Sequence, residues 1–358
     1  MSEAYAAAGV DTGAADRAVA ALVSVLGAID PGRARLALAL PGHYASVIRI
    51  DDNLGVALAT DSVGSKVVVA QQLGRFDTIG IDCVAMNVND LICVGAEPLA
   101  LLDYVAVERA DQRMLGELAL GLRRGAELAG VEIPGGELCQ IPEVIRGHPS
   151  PHGFDLVGSA VGRVALDRVI DGSACRPGDA LIGLPSSGVH ANGLTLARRT
   201  LLERGGLALE ERPPELEGAS VGEALLEPTA IYVGAVLELL RSDVAVHGLA
   251  HITGGGVLNL ARIGTDVGYL ISQPLPSPPI FELIAAIGEV APAEMWEVFN
   301  MGCGFCVIVA AEQRERALAL LRAHHPGAAV IGALSDRPGS IELPSLGLFG
   351  DRGGLRPA

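Results

Sequence analysis

A turn near residue 60, where a predicted strand passes into a predicted helix, carries residue types that bind phosphate and divalent cations. It reads Thr60-Asp-Ser-Val-Gly-Ser-Lys66. Small residues let the backbone approach a phosphate group, and a helix N-terminus favours negative charge. Asp61 suits Mg²⁺, which takes one or two carboxylates together with phosphate oxygens. The spacing differs from that of the common phosphate-binding lysine loop, so a purely structural acidic turn is the alternative.

Lys66 is the only lysine among the 26 basic residues of the chain. Its compact, flexible ammonium group differs from the planar fork of arginine. We expect this group to neutralise a transferring phosphoryl group. The alternative is that one lysine has survived by chance in an arginine-rich chain.

The segment Asp82-Cys-Val-Ala-Met-Asn-Val-Asn-Asp90 places polar side chains on a largely apolar predicted helix. At 100° per residue one stripe carries Asp82, Met86, Asn89 and Cys93, with Asp90 beside it. Buried carboxylates need a metal, an arginine or backbone donors, and a solvated helix face is the alternative. Asp103, inside a predicted strand, raises the same question.

Three glycine-rich segments could bind phosphate or a polar ligand. Pro134-Gly-Gly-Glu137 could bring Glu137 beside a nucleotide metal, or form a simple turn. Gly183-Leu-Pro-Ser-Ser-Gly-Val-His-Ala-Asn-Gly193 gathers hydroxyl, imidazole and amide groups in a loop before a helix, although His190 could be purely structural. His251-Ile-Thr-Gly-Gly-Gly256 forms a second phosphate cradle or a flexible hinge.

The elements that position these segments alternate between strands and helices, which predicts an α/β fold. Strands are expected at residues 56–60, 99–107, 154–164, 180–184, 268–271, 305–310 and 328–334, and helices at 66–73, 78–94, 115–129, 192–204, 228–240 and 312–324. A turn-rich stretch at residues 171–179 divides the chain into two α/β domains, residues 1–170 and 171–345. Residues 346–358 are expected to form a loose tail.

Composition excludes several classes of protein. The chain has 358 residues and a net charge of −16, which disfavours a nucleic-acid partner. No apolar run is long enough to span a bilayer, so no membrane association is expected. Residues 1–11 carry acids and no base, unlike an export signal, and the six scattered cysteines suit a reducing cytoplasm. The Cys303-x-x-Cys306 pair lies in a strand-like run, which favours a buried strand over a redox or metal site.

Taken together, the motifs resemble those of the aminoimidazole ribonucleotide synthetase family, also called phosphoribosylformylglycinamidine cyclo-ligases. The matching segments run in family order over residues 5–335 and begin at Tyr5, Thr60, Asp77, Gly95, Leu102, Leu184, His251 and Phe299. The resemblance implies two α/β domains, the second sandwich-like, and a homodimer in which the N-terminal sheets pair. It also implies ATP and Mg²⁺, and a small ribonucleotide substrate.

The implied reaction closes an imidazole ring: ATP phosphorylates the formyl oxygen of formylglycinamidine ribonucleotide, the ribosyl-bearing nitrogen attacks that carbon, and phosphate leaves. The implied catalytic residues are Lys66, Asp61 and His190. The implied ATP-binding residues are Asp61, Ser65, Lys66, Asp82, Asn89, Asp90 and Glu137. The implied metal ligands are Asp61, Asp90 and Glu137. The implied substrate-binding residues are Ser186, Ser187, His190, Asn192, Thr253, Gly254 and Gly255.

Two segments depart from the family pattern. Residues 36–44 contain one glycine where the family has a glycine-rich loop, and residues 135–143 keep Gly-Gly-Glu but lose the following Thr, the second Glu and the last Gly. The alternatives are therefore a divergent relative that phosphorylates another small substrate, or a dimeric partner protein without catalysis.

Overall fold

The first domain of the protein is built on a five-stranded sheet. The structure, a computed structural model, describes residues 12–264 and 266–358, so the motif at residues 5–11 lies outside the described residues. The strands are hydrogen-bonded in the order β1-β2-β5-β3-β4. Their bounds are β1 Ser46–Arg49, β2 Leu54–Ser62, β3 Glu97–Val107, β4 Glu132–Gln140 and β5 Phe154–Ala165.

Helix α3 fixes the position of the carboxylates on this sheet. The helices of the first domain in the described residues are α1 Thr12–Gly27, α2 Lys66–Leu73, α3 Ile79–Cys93 and α4 Gln112–Ala129. Helix α3 is buried along nearly its whole length and packs on β2 and β5. Where α3 crosses α4, a Cβ atom on Gly80 would collide with the backbone of Leu122. Glycine there lets the two helices touch through their backbones.

The other face of the first sheet presents apolar side chains to solvent. Leu58, Leu102 and Tyr104 are 36%, 48% and 39% exposed. Val161 pairs with Leu58, and Val157 pairs with Tyr104, so both valines share this face. We call this surface the outer face of the first sheet. Exposed apolar sheet faces are typical of surfaces that another subunit covers.

The second domain contains an eight-stranded sheet with the order β13-β12-β11-β8-β10-β6-β9-β7. Its strands are β6 Ala180–Pro185, β7 Val246–His251, β8 Gly268–Ile271, β9 Cys303–Val309, β10 Ala329–Ser335, β11 Ile341–Leu343, β12 Leu348–Asp351 and β13 Gly354–Pro357. Its helices in the described residues are α5 Leu194–Arg198, α6 Val221–Leu226, α7 Val233–Arg241, α8 Pro279–Gly288, α9 Pro292–Val298 and α10 Arg314–His324. Strand β9 is buried throughout, and its thiols Cys303 and Cys306 are free, which confirms the predicted strand.

One sequence expectation about an irregular segment is wrong, and one alternative is excluded. Residues 346–358 are not a loose tail: β12 pairs with β11, and β13 pairs with β12 through a tight hairpin. For Pro134-Gly-Gly-Glu137 the structure excludes the alternative of a simple turn: the segment belongs to β4, which among the described strands pairs with β3 alone, at the edge of its sheet. An edge strand tolerates proline because one side of its backbone needs no partner.

Two helices begin later than predicted. Helix α5 begins at Leu194 after Gly193, whose φ of 78° suits glycine, and it continues as a π-helical turn through Arg204. Helix α7 begins at Val233 rather than Pro228. The intervening loop is held out of the helix because its backbone N–H groups at Thr229 and Tyr232 donate to side chains of α3.

Candidate active site

The predicted metal ligands Asp61 and Asp90 lie near enough for the charge of one to act on the other, and Asp90 lies at the contact between the two domains. Strand β2 carries Asp61 near its end, and α3 carries Asp90. Burial raises the pKa of Asp61, and the neighbouring Asp90 raises it further. Asp90 Oδ1 lies 2.9 Å from Nδ1 of His251, which belongs to β7 of the second domain. Two carboxylates that repel each other fit a hard divalent cation, which would relieve the repulsion.

Glu137 does not join this pair. It lies on edge strand β4, where it is exposed and pairs with Tyr104. In the described residues, no three His, Cys, Asp or Glu side chains converge as a metal-binding group. Asp61 and Asp90 therefore present two ligands, and water or phosphate oxygens would have to complete a Mg²⁺ shell.

Lys66 lies inside the contact between the two domains. Its side chain is 0% exposed, and Nζ donates to Asp82 Oδ1 at 2.9 Å and to the Glu227 carbonyl oxygen at 2.6 Å. The same carboxylate oxygen accepts from Thr229 N and Oγ1 at 2.8 and 2.6 Å. Burial lowers the pKa of Lys66 more than Asp82 raises it. Contact with a phosphoryl group would require the ammonium to leave this network.

Two further residues expected at the nucleotide also join the domains. Asn89 donates through Nδ2 to the Ala230 carbonyl oxygen at 2.9 Å, and its Oδ1 accepts from Tyr232 N at 3.0 Å. Ser65 Oγ lies 2.9 Å from Thr195 Oγ1 in α5. Asp82, Asn89 and Ser65 thus bind the second domain, as Asp90 does through its contact with His251.

The loop after β6 gathers the polar groups that the sequence predicts for substrate. His190 is buried with a φ of 66°, and its Nε2 lies 3.1 Å from Ser187 N and 3.4 Å from Ala230 N. Because Nε2 accepts from N–H groups, the ring proton resides on Nδ1, which has no partner among the described residues. Burial lowers the pKa of His190 well below its usual value, so the ring is neutral. Ser186 Oγ is also buried without a partner in the described part of the chain.

The glycine segment after β7 lies against this loop. A Cβ atom on Gly254 would approach Asn192 Oδ1 to 2.9 Å, and Gly255 adopts a φ of 119°. Thr253 N donates to Asn259 Oδ1 at 2.8 Å and Gly256 N donates to the Thr253 carbonyl oxygen at 2.9 Å, so both of these backbone donors are already used. The remaining backbone N–H groups and the bare glycine surfaces suit an anionic or polar ligand.

Sequence reasoning missed the residues at the other side of the carboxylate pair. The guanidinium of Arg262 stacks on the Tyr44 ring at 4.3 Å and donates to the Gly42 carbonyl oxygen at 2.9 Å. The ring nitrogens of His43 are buried without a partner in the described residues, and burial lowers the pKa of His43 to about 4. The sequence signal was the histidine–tyrosine pair inside the atypical segment at residues 36–44.

Known proteins share this architecture. Among solved structures, hydrogenase maturation protein HypE in complex with ATP matches with a TM-score of 0.62 at 22% identity, over 86% of this chain and 88% of that chain. AaThiL complexed with AMPPCP and TMP matches with a TM-score of 0.61 at 16% identity, over 91% and 92%. At these identities the likeness concerns the fold alone.

Closer relatives share the sequence. Proteins named phosphoribosylformylglycinamidine cyclo-ligase are 49% identical in Methanothermobacter thermautotrophicus, over 84% of this chain and 86% of that protein, and 47% identical in Thermococcus gammatolerans, over 96% and 98%. The AIR synthase related protein family matches with its N-terminal domain at residues 42–164 and its C-terminal domain at residues 176–343. The chain belongs to the family of AIR synthase related proteins.

Proposed function

We propose that the protein is an ATP-dependent cyclo-ligase that converts formylglycinamidine ribonucleotide to aminoimidazole ribonucleotide, ADP and phosphate. The proposal is supported by the name shared by relatives of nearly 50% identity. The structural observation that carries it is the Asp61–Asp90 pair beside two glycine-rich loops. Transfer of a phosphoryl group to the formyl oxygen turns that oxygen into a good leaving group, so the protein's task is positioning and charge neutralisation.

The residues divide into two groups in this proposal. Asp61 and Asp90 would hold Mg²⁺, which when bound neutralises phosphate charge. The backbone at Gly254 and Gly255 would cradle a phosphate group. His190 Nδ1–H and Ser186 Oγ would donate to the substrate, because both atoms are buried and lack a partner among the described residues.

We also propose a homodimer that buries the outer face of the first sheet. Leu58, Leu102 and Tyr104 support this, since a second copy would remove their apolar surface from water. Domain bounds of 1–170 and 171–358 follow from the sequence boundary, with β12 and β13 joined to the second domain. A cytoplasmic location is supported by six free cysteines. No helix of the described residues is long and apolar enough to span a bilayer.

The test is a turnover assay of the purified chain with formylglycinamidine ribonucleotide, ATP and Mg²⁺. We expect ADP and aminoimidazole ribonucleotide to form in equal amounts, and Asp61→Asn to abolish both while the far-UV and thermal signatures of the fold persist. ADP formed only with a different amide substrate would show a divergent relative. A lack of ATP turnover with any amide or acid substrate would favour a non-catalytic partner protein.

A further inference from the structure

A row of polar side chains crosses the first sheet next to Asp61. Asp61 on β2 pairs with Gly158 on β5, Gly158 pairs with Asp103 on β3, and Asp103 pairs with Gly136 on β4. Paired residues point to the same face of a sheet, and adjacent strands lie about 4.8 Å apart. The Cα atoms of Asp61 and Asp103 are therefore roughly 10 Å apart on the face that α3 covers.

Gly158 and Gly136 leave room above the sheet for side chains from neighbouring elements. A Cβ atom on Gly158 would approach Asn87 Nδ2 to 2.5 Å, so the Asn87 amide lies over Gly158, between the two carboxylates. Asn87 is 0% exposed, and its Oδ1 has no hydrogen-bond partner among the described residues. The Asp103 carboxylate lies over Gly136, where any Cβ atom would collide with it. Asp61, Asn87 and Asp103 thus form a continuous polar row.

Asp103 is the uncommitted carboxylate of this row. It is partly buried, and in the described part of the chain its only hydrogen bond comes from its own backbone. Burial raises the pKa of Asp103, and the titratable group that lies near it on α3 is the Cys83 thiol, which also lies over Gly158. A partly desolvated carboxylate without a partner is stabilised by a cation. In the adjoining strand β4 nearly every residue is exposed or half-buried, so a ligand can reach the site.

We propose that Asp103 binds the amidine group of the ribonucleotide and accepts the proton that its ring-closing nitrogen loses. This inference rests on the proposed cyclo-ligase function. A protonated amidine is a planar cation with two parallel N–H donors, the same fork that lets a guanidinium bind a carboxylate. The unpartnered Asn87 Oδ1 would accept a further N–H, which explains an orphan acceptor at the centre of the row.

The positions of Asp61 and Asp103 suit the two steps of the proposed reaction, phosphorylation and ring closure. The formyl oxygen would lie toward Asp61 and the metal, and the amidine toward Asp103. The ribosyl-bearing nitrogen passes its proton to Asp103, its electron pair forms the bond to the formyl carbon, and the carbon–oxygen bond breaks with its pair leaving on phosphate. A positioned base typically contributes about 10²- to 10⁴-fold in rate.

The experiment compares Asp103→Asn with Asp155→Asn, a carboxylate on the opposite face of β5. We expect Asp103→Asn to lower kcat at least 10²-fold, to raise the KM of the ribonucleotide, to lose the acidic limb of the pH–rate profile, and to bind a non-hydrolysable ATP analogue as the wild type does. Asp155→Asn should match the wild type in each respect.

A second variant, Asp103→Ala, tests whether misfolding causes the loss of activity. Asp103→Ala should keep the thermal transition of the wild type and regain activity when formate is added, because formate can occupy the vacated carboxylate position. An Asp103→Asn enzyme within threefold of the Asp155→Asn control, with an unchanged pH profile, would overturn the inference while leaving the cyclo-ligase proposal intact. A folded Asp103→Ala variant that formate does not rescue would also overturn it. Wild-type protein that fails to turn over the ribonucleotide would remove both proposals.

Discussion

Replacement of Lys66 by methionine should destabilise the contact between the domains rather than slow chemistry alone. Methionine keeps much of the length of the side chain but removes the ammonium that bonds Asp82 and the Glu227 carbonyl oxygen. The Asp82 carboxylate then remains buried with only the two donors of Thr229. Because the pair is fully buried, solvent cannot replace the lost partner.

The size of the expected loss of stability follows from the burial of the Lys66–Asp82 ion pair. Removal of one partner from a buried ion pair costs about 3–5 kcal/mol. Globular proteins unfold with about 2.1 cal/mol/K per residue, so the 358 residues give roughly 750 cal/mol/K. If both domains unfold together, Lys66→Met should therefore lower Tm by roughly 4–7 °C. The double variant Lys66→Met/Asp82→Asn should lose less than the sum of the two single variants, because no unpaired charge is left.

Thermal unfolding by circular dichroism and kcat measured on the same samples distinguish the two roles of Lys66. A direct role on the phosphoryl group predicts a large loss of kcat without a change in Tm. That result, an unchanged Tm with kcat lowered 10²-fold or more, would refute the domain-contact interpretation and restore the catalytic one. Complete burial also predicts that amine-reactive reagents label Lys66 slowly in the native protein, with or without ATP.

Three further results are expected. Asp61→Asn should abolish Mg²⁺ binding in calorimetry, and in the wild type the affinity should fall as pH drops through the pKa of Asp61, which burial raises. Equal Mg²⁺ affinity in wild type and variant would refute the metal assignment. Leu102→Asp should convert a dimer to a monomer in sedimentation, and a variant that remains dimeric would exclude the outer face as the interface. His43 binds fewer protons in the native state than when unfolded, so the free energy of unfolding should fall by up to ~3 kcal/mol as pH drops from 6.5 toward about 4. In denaturant titrations, His43→Gln should reduce this dependence of the unfolding free energy on pH. An unchanged pH dependence would contradict the burial argument.

The sequence indicates the surroundings of the two carboxylates more fully than those of the lysine. Asp61 lies near the end of a clear strand and Asp90 lies on a long apolar helix, so local patterns mark each residue, but only the resemblance to the family places them in one site. Lys66 was marked correctly as unusual, yet its partner in space is a backbone carbonyl 161 residues away. The hydrogen-bond partner of a buried donor such as Lys66 depends on how the two domains dock. A local sequence pattern contains no information about that docking.

The errors in the fold have a related origin. Strands β12 and β13 have four residues each and contain glycine or proline, so the alternation that marks a strand is too short to detect. Strand β4 contains Pro134, Gly135 and Gly136, the residues that usually indicate a turn. In each case pairing with a neighbouring strand outweighs local preference, and β4 and β13 lie at the edges of their sheets, where such residues are tolerated.

The late pairing of the final hairpin has a consequence for the order of folding during synthesis. The strands of the first sheet all lie within residues 46–165, so that sheet can form while the rest of the chain is still being made. The second sheet begins at Ala180 but ends with β13, Gly354–Pro357, and its β11 joins β8 in parallel. It can be completed only after the last residues leave the ribosome. A nascent chain stalled near residue 340 would therefore hold a complete first sheet beside an open edge of the second sheet, the part most exposed to aggregation and to chaperones.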